Sequence, residues 1–159
     1  MQSEENIPQE SIVAFFEADR EKLRSVVEEI DTYLADFKIL LKKTVRCDAD
    51  YSLSSLKYVE LLLMHLKPKA SEDADLLIES ALYIGETARG VYHTEWDIAN
   101  SQEIGSKTFG QPFLKTSLPD KDFYPFLEIK NFISHPSIGY FKAQIEANTW
   151  GIKSLATGI

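Results

Sequence analysis

The feature of this sequence that most constrains its fold is a helical stretch near the middle of the chain, residues 71–90, that is apolar on almost every side. Ser71 or Asp73 can cap its first turn, and Gly90 is placed to end it. A helix of this kind has to be covered on nearly all sides. We therefore predict that it is the most buried helix and that the other segments pack around it. Its apolar and small positions are Ala74, Leu77, Ile78, Ala81, Leu82, Ile84, Gly85 and Ala88.

A second constraint is the N-terminal stretch from Gln9 to Lys43, which contains no glycine or proline and predicts one long helix. At 1.5 Å per residue this helix would be on the order of 50 Å long, which exceeds the diameter of a compact domain of this size. We therefore expect it either to bend, with Asp19 as the expected break, or to pack on another subunit. A seam that recurs every seven residues predicts a homodimer through this helix: Phe16, Leu23, Ile30 and Phe37.

Two shorter elements are predicted on either side of the central helix. A core helix over about 54–66 can be capped by Ser52 or Ser54. Short apolar segments separated by turn residues predict an antiparallel hairpin or small sheet around residues 94–116. Pro112 would place its segment at a sheet edge or a bulge.

The C-terminal part predicts one or two short helices, over 123–134 and about 138–148, followed by a tail that could be partly disordered or a docking strand. The whole chain, 1–159, is predicted to be a single domain with 1–8 and about 150–159 as candidate flexible ends. The predicted fold class is α+β, mostly helical, with one small antiparallel hairpin or sheet.

Charge and composition exclude several classes of function. The formal net charge is −8 and the pI is about 4.9, so nucleic acid is an unexpected partner because phosphate binding needs a basic surface. No apolar run approaches the length of a membrane span. The single cysteine, Cys47, permits no internal disulfide, and the first residues lack a secretory signal. A cytoplasmic location is therefore predicted.

No motif in the sequence indicates a cofactor or a metal ion. The three histidines, His65, His93 and His135, fall in three different elements without a metal-binding spacing between them. Cys47 has no histidine near it in sequence, so a nucleophilic role would need one brought close by the fold. Phosphate-binding and dinucleotide-binding glycine motifs are absent from the sequence. We predict no cofactor and no metal.

Glu86 is the polar residue of the central helix that needs an explanation. It follows Gly85, whose missing side chain lets another segment come close, and it lies three residues after Tyr83. A partly buried carboxylate needs a partner, which Arg89, Tyr92 or a backbone amide could supply.

Two interpretations of this region follow. In the structural one, Tyr83, Glu86 and Trp96 connect the helix to the hairpin. In the functional one, the same residues form the floor of a small polar cleft, with Glu86, Tyr92 and Trp96 as candidate binding residues.

The segment Tyr83-Ile-Gly-Glu86, followed ten residues later by Trp96 and then by a Tyr124-Pro125 step, resembles a loose group of bacterial domains. In that group, a helix with Tyr-x-Gly-Glu leads into a tryptophan-containing hairpin. The similarity extends from Leu53 to about Ile133. It implies an α+β fold and a bacterial origin, and it implies no reaction, because the group has no assigned chemistry.

Two hypotheses about function remain. The first is a non-enzymatic protein-interaction module, in one form an acidic immunity-type inhibitor of a basic partner. The alternative is a small-molecule-binding protein or a hydrolase-like enzyme that uses Glu86 and Tyr83 with one of His93 or His135 as acid–base groups.

Overall fold

The computed structural model describes residues 25–68, 73–98, 112–116 and 122–157, with the side chains of 98 and 149–157 excepted. The described part is mostly helical and contains one small antiparallel sheet, which confirms the predicted α+β class. Its elements, in chain order, are α1 (Ile30–Val45), α2 (Leu56–Leu66), α3 (Ala74–Tyr92), β1 (Trp96–Ile98), β2 (Pro112–Leu114), α4 (Pro125–Ser134) and α5 (Tyr140–Thr157).

Helix α3 is the helix around which the others pack, as the apolar pattern predicts. From Leu77 to Ala88 every residue but Glu79 and Glu86 is buried. The helix does not end at Gly90 as expected. It continues to Tyr92, and His93 ends it in a left-handed conformation with φ 57°, where its amide donates to the Arg89 carbonyl. His93 therefore ends the helix in the left-handed conformation that a glycine usually adopts at this position.

The long N-terminal helix is interrupted within the described residues. A helical turn over 25–28 precedes α1, and Glu29, with φ −109° and ψ 27°, separates the two. The Glu29 amide donates to the Val26 carbonyl at 3.2 Å and the Thr32 amide donates to the Glu29 carbonyl at 3.1 Å. These backbone hydrogen bonds connect residues three apart, as in a 3₁₀ helix, rather than four apart. The expected break at Asp19 lies outside the described residues.

The predicted dimer seam meets the chain's own core where it is described. Phe37 is fully buried, with its ring 5.6 Å from that of Tyr83, and Ile30 packs half-buried against the same core. A side chain that its own chain encloses offers no surface to a second copy, so Phe37 cannot be a dimer contact. Phe16 and Leu23 lie outside the described residues. A homodimer through the N-terminal helix stays a prediction, without Phe37.

A capped 3₁₀ turn leads into helix α2. Ser52 accepts a hydrogen bond from the Ser55 amide at 3.2 Å and opens a short 3₁₀ turn, Leu53–Ser55, that leads into the helix. Ser52 rather than Ser54 therefore caps this turn, and α2 itself begins after Ser55, whose side chain makes no capping hydrogen bond. The inner face of α2 is buried through Leu56, Val59, Leu62 and Leu63.

The predicted hairpin region forms a two-stranded antiparallel sheet. Trp96 pairs with Leu114, and Pro112 is the first residue of β2, a position where its missing N–H costs no ladder bond inside the strand. Phe123 adds a bridge on the other side of Leu114, with amide–carbonyl distances of 2.8 Å and 3.1 Å. This bridge connects the sheet to the start of α4.

The C-terminal helices form as predicted, with one extension. Pro125 occupies the first turn of α4, and the His135-Pro136 step follows its end. Helix α5 continues to Thr157, past the expected end near Asn148, so a helix stands where a disordered tail or a docking strand was considered. None of the helices in the described segments is long and apolar enough to cross a membrane.

Candidate functional site

Glu86 lies in a small cluster of hydrogen bonds between α3 and β1. The Trp96 indole Nε1 donates to Glu86 Oε2 at 2.7 Å. The Arg89 guanidinium donates to both carboxylate oxygens, from Nε at 3.1 Å and from Nη2 at 3.1 Å. Because an indole N–H and a guanidinium that donates twice contact the carboxylate together, the Glu86 side chain is held in a fixed orientation.

Gly85 explains how Trp96 comes so close to α3. A Cβ atom built at position 85 would lie 2.1 Å from the Trp96 Cη2 atom and 3.0 Å from Pro125 Cγ. No side chain larger than hydrogen fits there unless the indole moves. The predicted role of Gly85 in close packing is confirmed, and the ring that occupies the space is that of the tryptophan whose N–H contacts Glu86.

Tyr83 contacts a different part of the molecule. Its hydroxyl accepts from the Tyr51 amide at 3.0 Å and shares a 2.9 Å hydrogen bond with Ser55 Oγ. The Tyr51 ring stacks on it at 4.8 Å. Burial raises the pKa of this hydroxyl above its ordinary value. Tyr83 therefore connects α3 to the loop before α2, which corrects the interpretation that it joins the helix to the hairpin.

Tyr92, His93 and His135 also lie outside the hydrogen-bond cluster around Glu86. The Tyr92 hydroxyl donates to the Ile145 carbonyl of α5 at 3.2 Å, so it contacts another helix. His93 is exposed at the end of α3 and His135 is exposed at the end of α4. The structure brings Glu86 and Trp96 together, as predicted, but Tyr83 and Tyr92 bind other segments.

A polar cleft of about 190 Å³ opens beside the loop that Tyr83 contacts. Cys47 lies in its wall, where burial and the nearby Asp50 and Asp48 carboxylates raise the pKa of the thiol. A thiol with a raised pKa is a poor nucleophile at neutral pH, since less of it is thiolate. The lining residues are Arg46, Cys47, Asp48, Asp50, Ser52, Ser54, Ser55 and Tyr58.

An acidic surface that the sequence analysis missed lies across α1 and α3. Burial and the Asp36 and Asp75 carboxylates raise the pKa of Glu79 to about 7. Burial, with Asp75, Glu29 and Glu79, also raises the pKa of the nearby Tyr33 hydroxyl. Asp36 of α1 and Asp75 of α3 thus act on Glu79, and Glu29, which lies just before α1, acts on the neighbouring Tyr33 hydroxyl. The helical spacing of these acids is visible in the sequence, with Glu29 and Asp36 seven residues apart and Asp75 and Glu79 four apart, but the packing of α1 against α3 is not.

A second missed residue is Glu60 of α2, which has no exposed surface. Its Oε1 accepts from the Gly139 amide at 2.7 Å and its Oε2 accepts from the Phe141 amide at 2.8 Å. These amides are at the start of α5, so Glu60 caps that helix from another helix. Burial raises the pKa of the Glu60 carboxyl, and the amide hydrogen bonds oppose the rise. The contact spans 79 residues, and no local signal announces it.

Within the four described ranges, no group of three or more His, Cys, Asp and Glu side chains is placed to hold a metal ion. Comparison of the chain with protein-family models, curated proteins and solved structures found no match. The resemblance to tryptophan-hairpin bacterial domains therefore stays a prediction.

Proposed function

We propose that this protein is a non-enzymatic interaction module that binds a basic protein through the α1–α3 acidic surface, defined by Glu29, Asp36, Asp75 and Glu79. The observation that carries the proposal is the closeness of Asp36 on α1 and Asp75 on α3 to Glu79, whose pKa is raised by burial first and by these two carboxylates second. A lysine or arginine of a partner placed among these groups would relieve their repulsion, and that relief favours binding.

The contacts of Glu86 support the same choice over an enzyme. A general acid or base has to reach a substrate proton within hydrogen-bond distance. The Glu86 carboxylate accepts hydrogen bonds from Trp96 and Arg89, and the buried Tyr83 hydroxyl is hydrogen-bonded to Ser55 and the Tyr51 amide. These contacts favour a structural role for both residues.

An immunity-type inhibitor is the specific form that we propose. Such a protein carries an acidic surface that covers a basic partner. The net charge of −8 agrees with this role. A bacterial source and a cytoplasmic location are parts of the same proposal. The single cysteine, buried and unpaired, is compatible with a reducing compartment.

The test is a capture experiment from an extract of the source cells with three immobilised proteins. They are the wild type, Asp36→Asn/Glu79→Gln on the acidic surface, and Asp97→Asn/Glu146→Gln as a control with the same change in charge elsewhere. We expect the wild type and the control to retain a basic protein at 50 mM salt and to release it at 500 mM, because salt screens exposed charges. The surface variant should retain at most a tenth as much. Equal recovery on all three proteins, or recovery of no basic protein, would refute the proposal.

A further inference from the structure

The start of α5 is held by carboxylates from two other helices. Glu60 of α2, which is fully buried, accepts hydrogen bonds from the Gly139 amide at 2.7 Å and from the Phe141 amide at 2.8 Å. Between these two residues, the Tyr140 hydroxyl donates to Glu128 Oε1 of α4 at 2.7 Å. Three consecutive residues thus contact two acids, and α5 is joined to α2 and to α4 at the same end.

Neither acid has a cationic partner in the part of the chain that the structure describes. No lysine, arginine or histidine there forms an ion pair with Glu60 or Glu128. Burial raises the pKa of Glu60, opposed by hydrogen bonds from the amides of 139–141, and burial raises the pKa of Glu128, opposed by the Tyr140 hydroxyl. Burial and Glu128 also raise the pKa of Tyr140, while Asn131 lowers it. The titratable groups of this contact are therefore two acids and a phenol, with no base among the described residues.

Detachment of α5 changes how tightly both acids bind a proton. A carboxylate that is buried without a cation favours its neutral form, whereas the same group in water titrates at its ordinary value of 4.5. Glu60 and Glu128 therefore bind protons more tightly while α5 is docked, and linkage requires acid to favour the docked helix. This added stabilisation is complete below pH 4.5 and is lost as the pH rises through the raised docked-state pKa values.

An exposed connection precedes α5. Residues 135–139 are all exposed, and Gly139 has φ 93°, a conformation that glycine adopts freely. Such a segment can change direction without breaking core contacts of its own. The helix itself is anchored by Phe141 and Ile145, which are fully buried, and by the Tyr92 hydroxyl, which donates to the Ile145 carbonyl at 3.2 Å. These contacts keep α5 docked in most molecules, so the acids act on the small fraction in which it is detached.

We propose that the start of α5 is a proton-sensitive joint, in which protonation of Glu60 and Glu128 holds α5 more firmly against α2 and α4. A change from mildly acidic to neutral pH then increases the fraction of molecules in which α5 is detached. The joint lies at the contact of α5 with α2 and α4, and it does not depend on binding through the α1–α3 acidic surface.

The experiment is native-state hydrogen exchange of the full chain at pH 5.0 and pH 7.5, with each amide rate corrected for its intrinsic pH dependence. The amides of 142–148 report detachment of α5, and those of the buried middle of α3 report global unfolding. Four proteins are compared: the wild type, Glu128→Gln, Glu60→Gln/Glu128→Gln, and Glu146→Gln. Glu146 is an exposed acid of α5, so its variant removes a carboxylate that the joint does not use.

We expect the wild-type α5 amides to be protected about threefold or more better at pH 5.0 than at pH 7.5, beyond any change in α3, since one pKa unit corresponds to a tenfold change. Glu128→Gln, whose amide oxygen can still accept from Tyr140, should lose part of this difference, and Glu146→Gln should keep it. The double variant should lose all of it. If the double variant does not fold, which circular dichroism shows, Glu128→Gln decides alone.

Three results would overturn the proposal. The first is protection of α5 that is unchanged or weaker at pH 5.0. The second is a pH effect that persists undiminished in Glu128→Gln or remains in a folded double variant. The third is exchange of the α5 amides only together with those of α3, because α5 would then not detach on its own.

Discussion

Gly85 and Gly90 lie in the same helix, and their surroundings predict opposite effects of the same substitution. At Gly85 a methyl group would overlap the Trp96 ring, 2.1 Å from its Cη2 atom, whereas no atom from another part of the described chain lies within 4 Å of the corresponding point at Gly90. Gly85→Ala should therefore displace the indole and lower the free energy of unfolding by about 2–3 kcal/mol. Gly90→Ala should raise it by about 0.5–1 kcal/mol, because alanine is the better helix former.

Urea unfolding of both variants measures these free energies. Tryptophan fluorescence of the folded Gly85→Ala variant, with Trp150→Phe in both proteins so that Trp96 alone reports, provides a second readout, since a displaced indole loses its contact with Glu86. If Gly85→Ala is as stable as Gly90→Ala, Trp96 does not pack against Gly85 as closely as described.

Glu79 makes stability depend on pH in the direction opposite to that of most carboxylates. Its folded pKa of about 7 exceeds its ordinary value of 4.5, so the folded state binds the proton more tightly than the unfolded state does. The resulting stabilisation is complete below pH 4.5 and is lost as the pH rises through about 7. The folded protein should therefore gain stability between pH 8 and pH 5.5.

The Tm of the wild type should be roughly 3 °C higher at pH 5.5 than at pH 8, about what 1 kcal/mol produces in a domain of this size. Glu79→Gln should be more stable than the wild type at pH 8. Its Tm should therefore differ much less between pH 5.5 and pH 8 than the wild-type Tm does. Glu146→Gln, an exposed control, should keep the wild-type difference. A wild-type Tm that falls steadily from pH 8 to pH 5.5 would contradict the assigned environment of Glu79.

At the scale of elements, Glu60 connects α2 to the start of α5 through two amide hydrogen bonds. Glu60→Ala removes both acceptors and should lower the free energy of unfolding by about 3 kcal/mol, because two buried amides are left without a partner. Glu60→Gln keeps one acceptor oxygen and should lose about half as much. Hydrogen exchange should accelerate in the first turns of α5 more than in the middle of α3. Uniform acceleration throughout the chain would show that Glu60 is not a local connection.

The Glu86–Trp96 hydrogen bond is the corresponding connection between α3 and β1. A double-mutant cycle with Glu86→Gln and Trp96→Phe should give a coupling energy of about 1–2 kcal/mol in urea unfolding. Glu86→Gln alone should destabilise the protein. A carboxylate kept for catalysis usually behaves in the opposite way, since its removal relieves strain and stabilises the fold. A stabilising Glu86→Gln with no coupling to Trp96 would therefore favour the enzyme hypothesis.

Local sequence rules predicted these elements more reliably than they predicted the contacts between them. The apolar pattern of α3, the Ser52 cap and the proline at the start of α4 depend on neighbouring residues, and all three were predictable. Glu29, which interrupts the N-terminal helix, is neither glycine nor proline, so composition gave no sign of the break. The partners of Tyr83 and Glu60 are distant in sequence, and a single sequence carries no signal for such pairs.

At the scale of the whole molecule, the described surfaces divide by charge. Carboxylates of α1 and α3 gather on one surface, while the outer side of α2 presents apolar residues with a lysine and a histidine. Two of the candidate catalytic residues connect elements instead: Glu86 contacts Trp96 of β1, and Tyr83 contacts the loop before α2. This division is why we propose a binding function, and why binding through the α1–α3 acidic surface is the central claim.

Site-specific photo-crosslinking tests that claim most directly. A benzophenone amino acid placed at Thr32, which is exposed on α1 and lies four residues before Asp36 and three after Glu29, reports what touches the acidic surface in an extract of the source cells. The same group at Ala147, exposed on α5, serves as the control position. Our account predicts that position 32 crosslinks to a basic protein, that 500 mM salt abolishes the product, and that position 147 gives none. A salt-insensitive product, a product with an acidic protein, or no product from position 32 would contradict it.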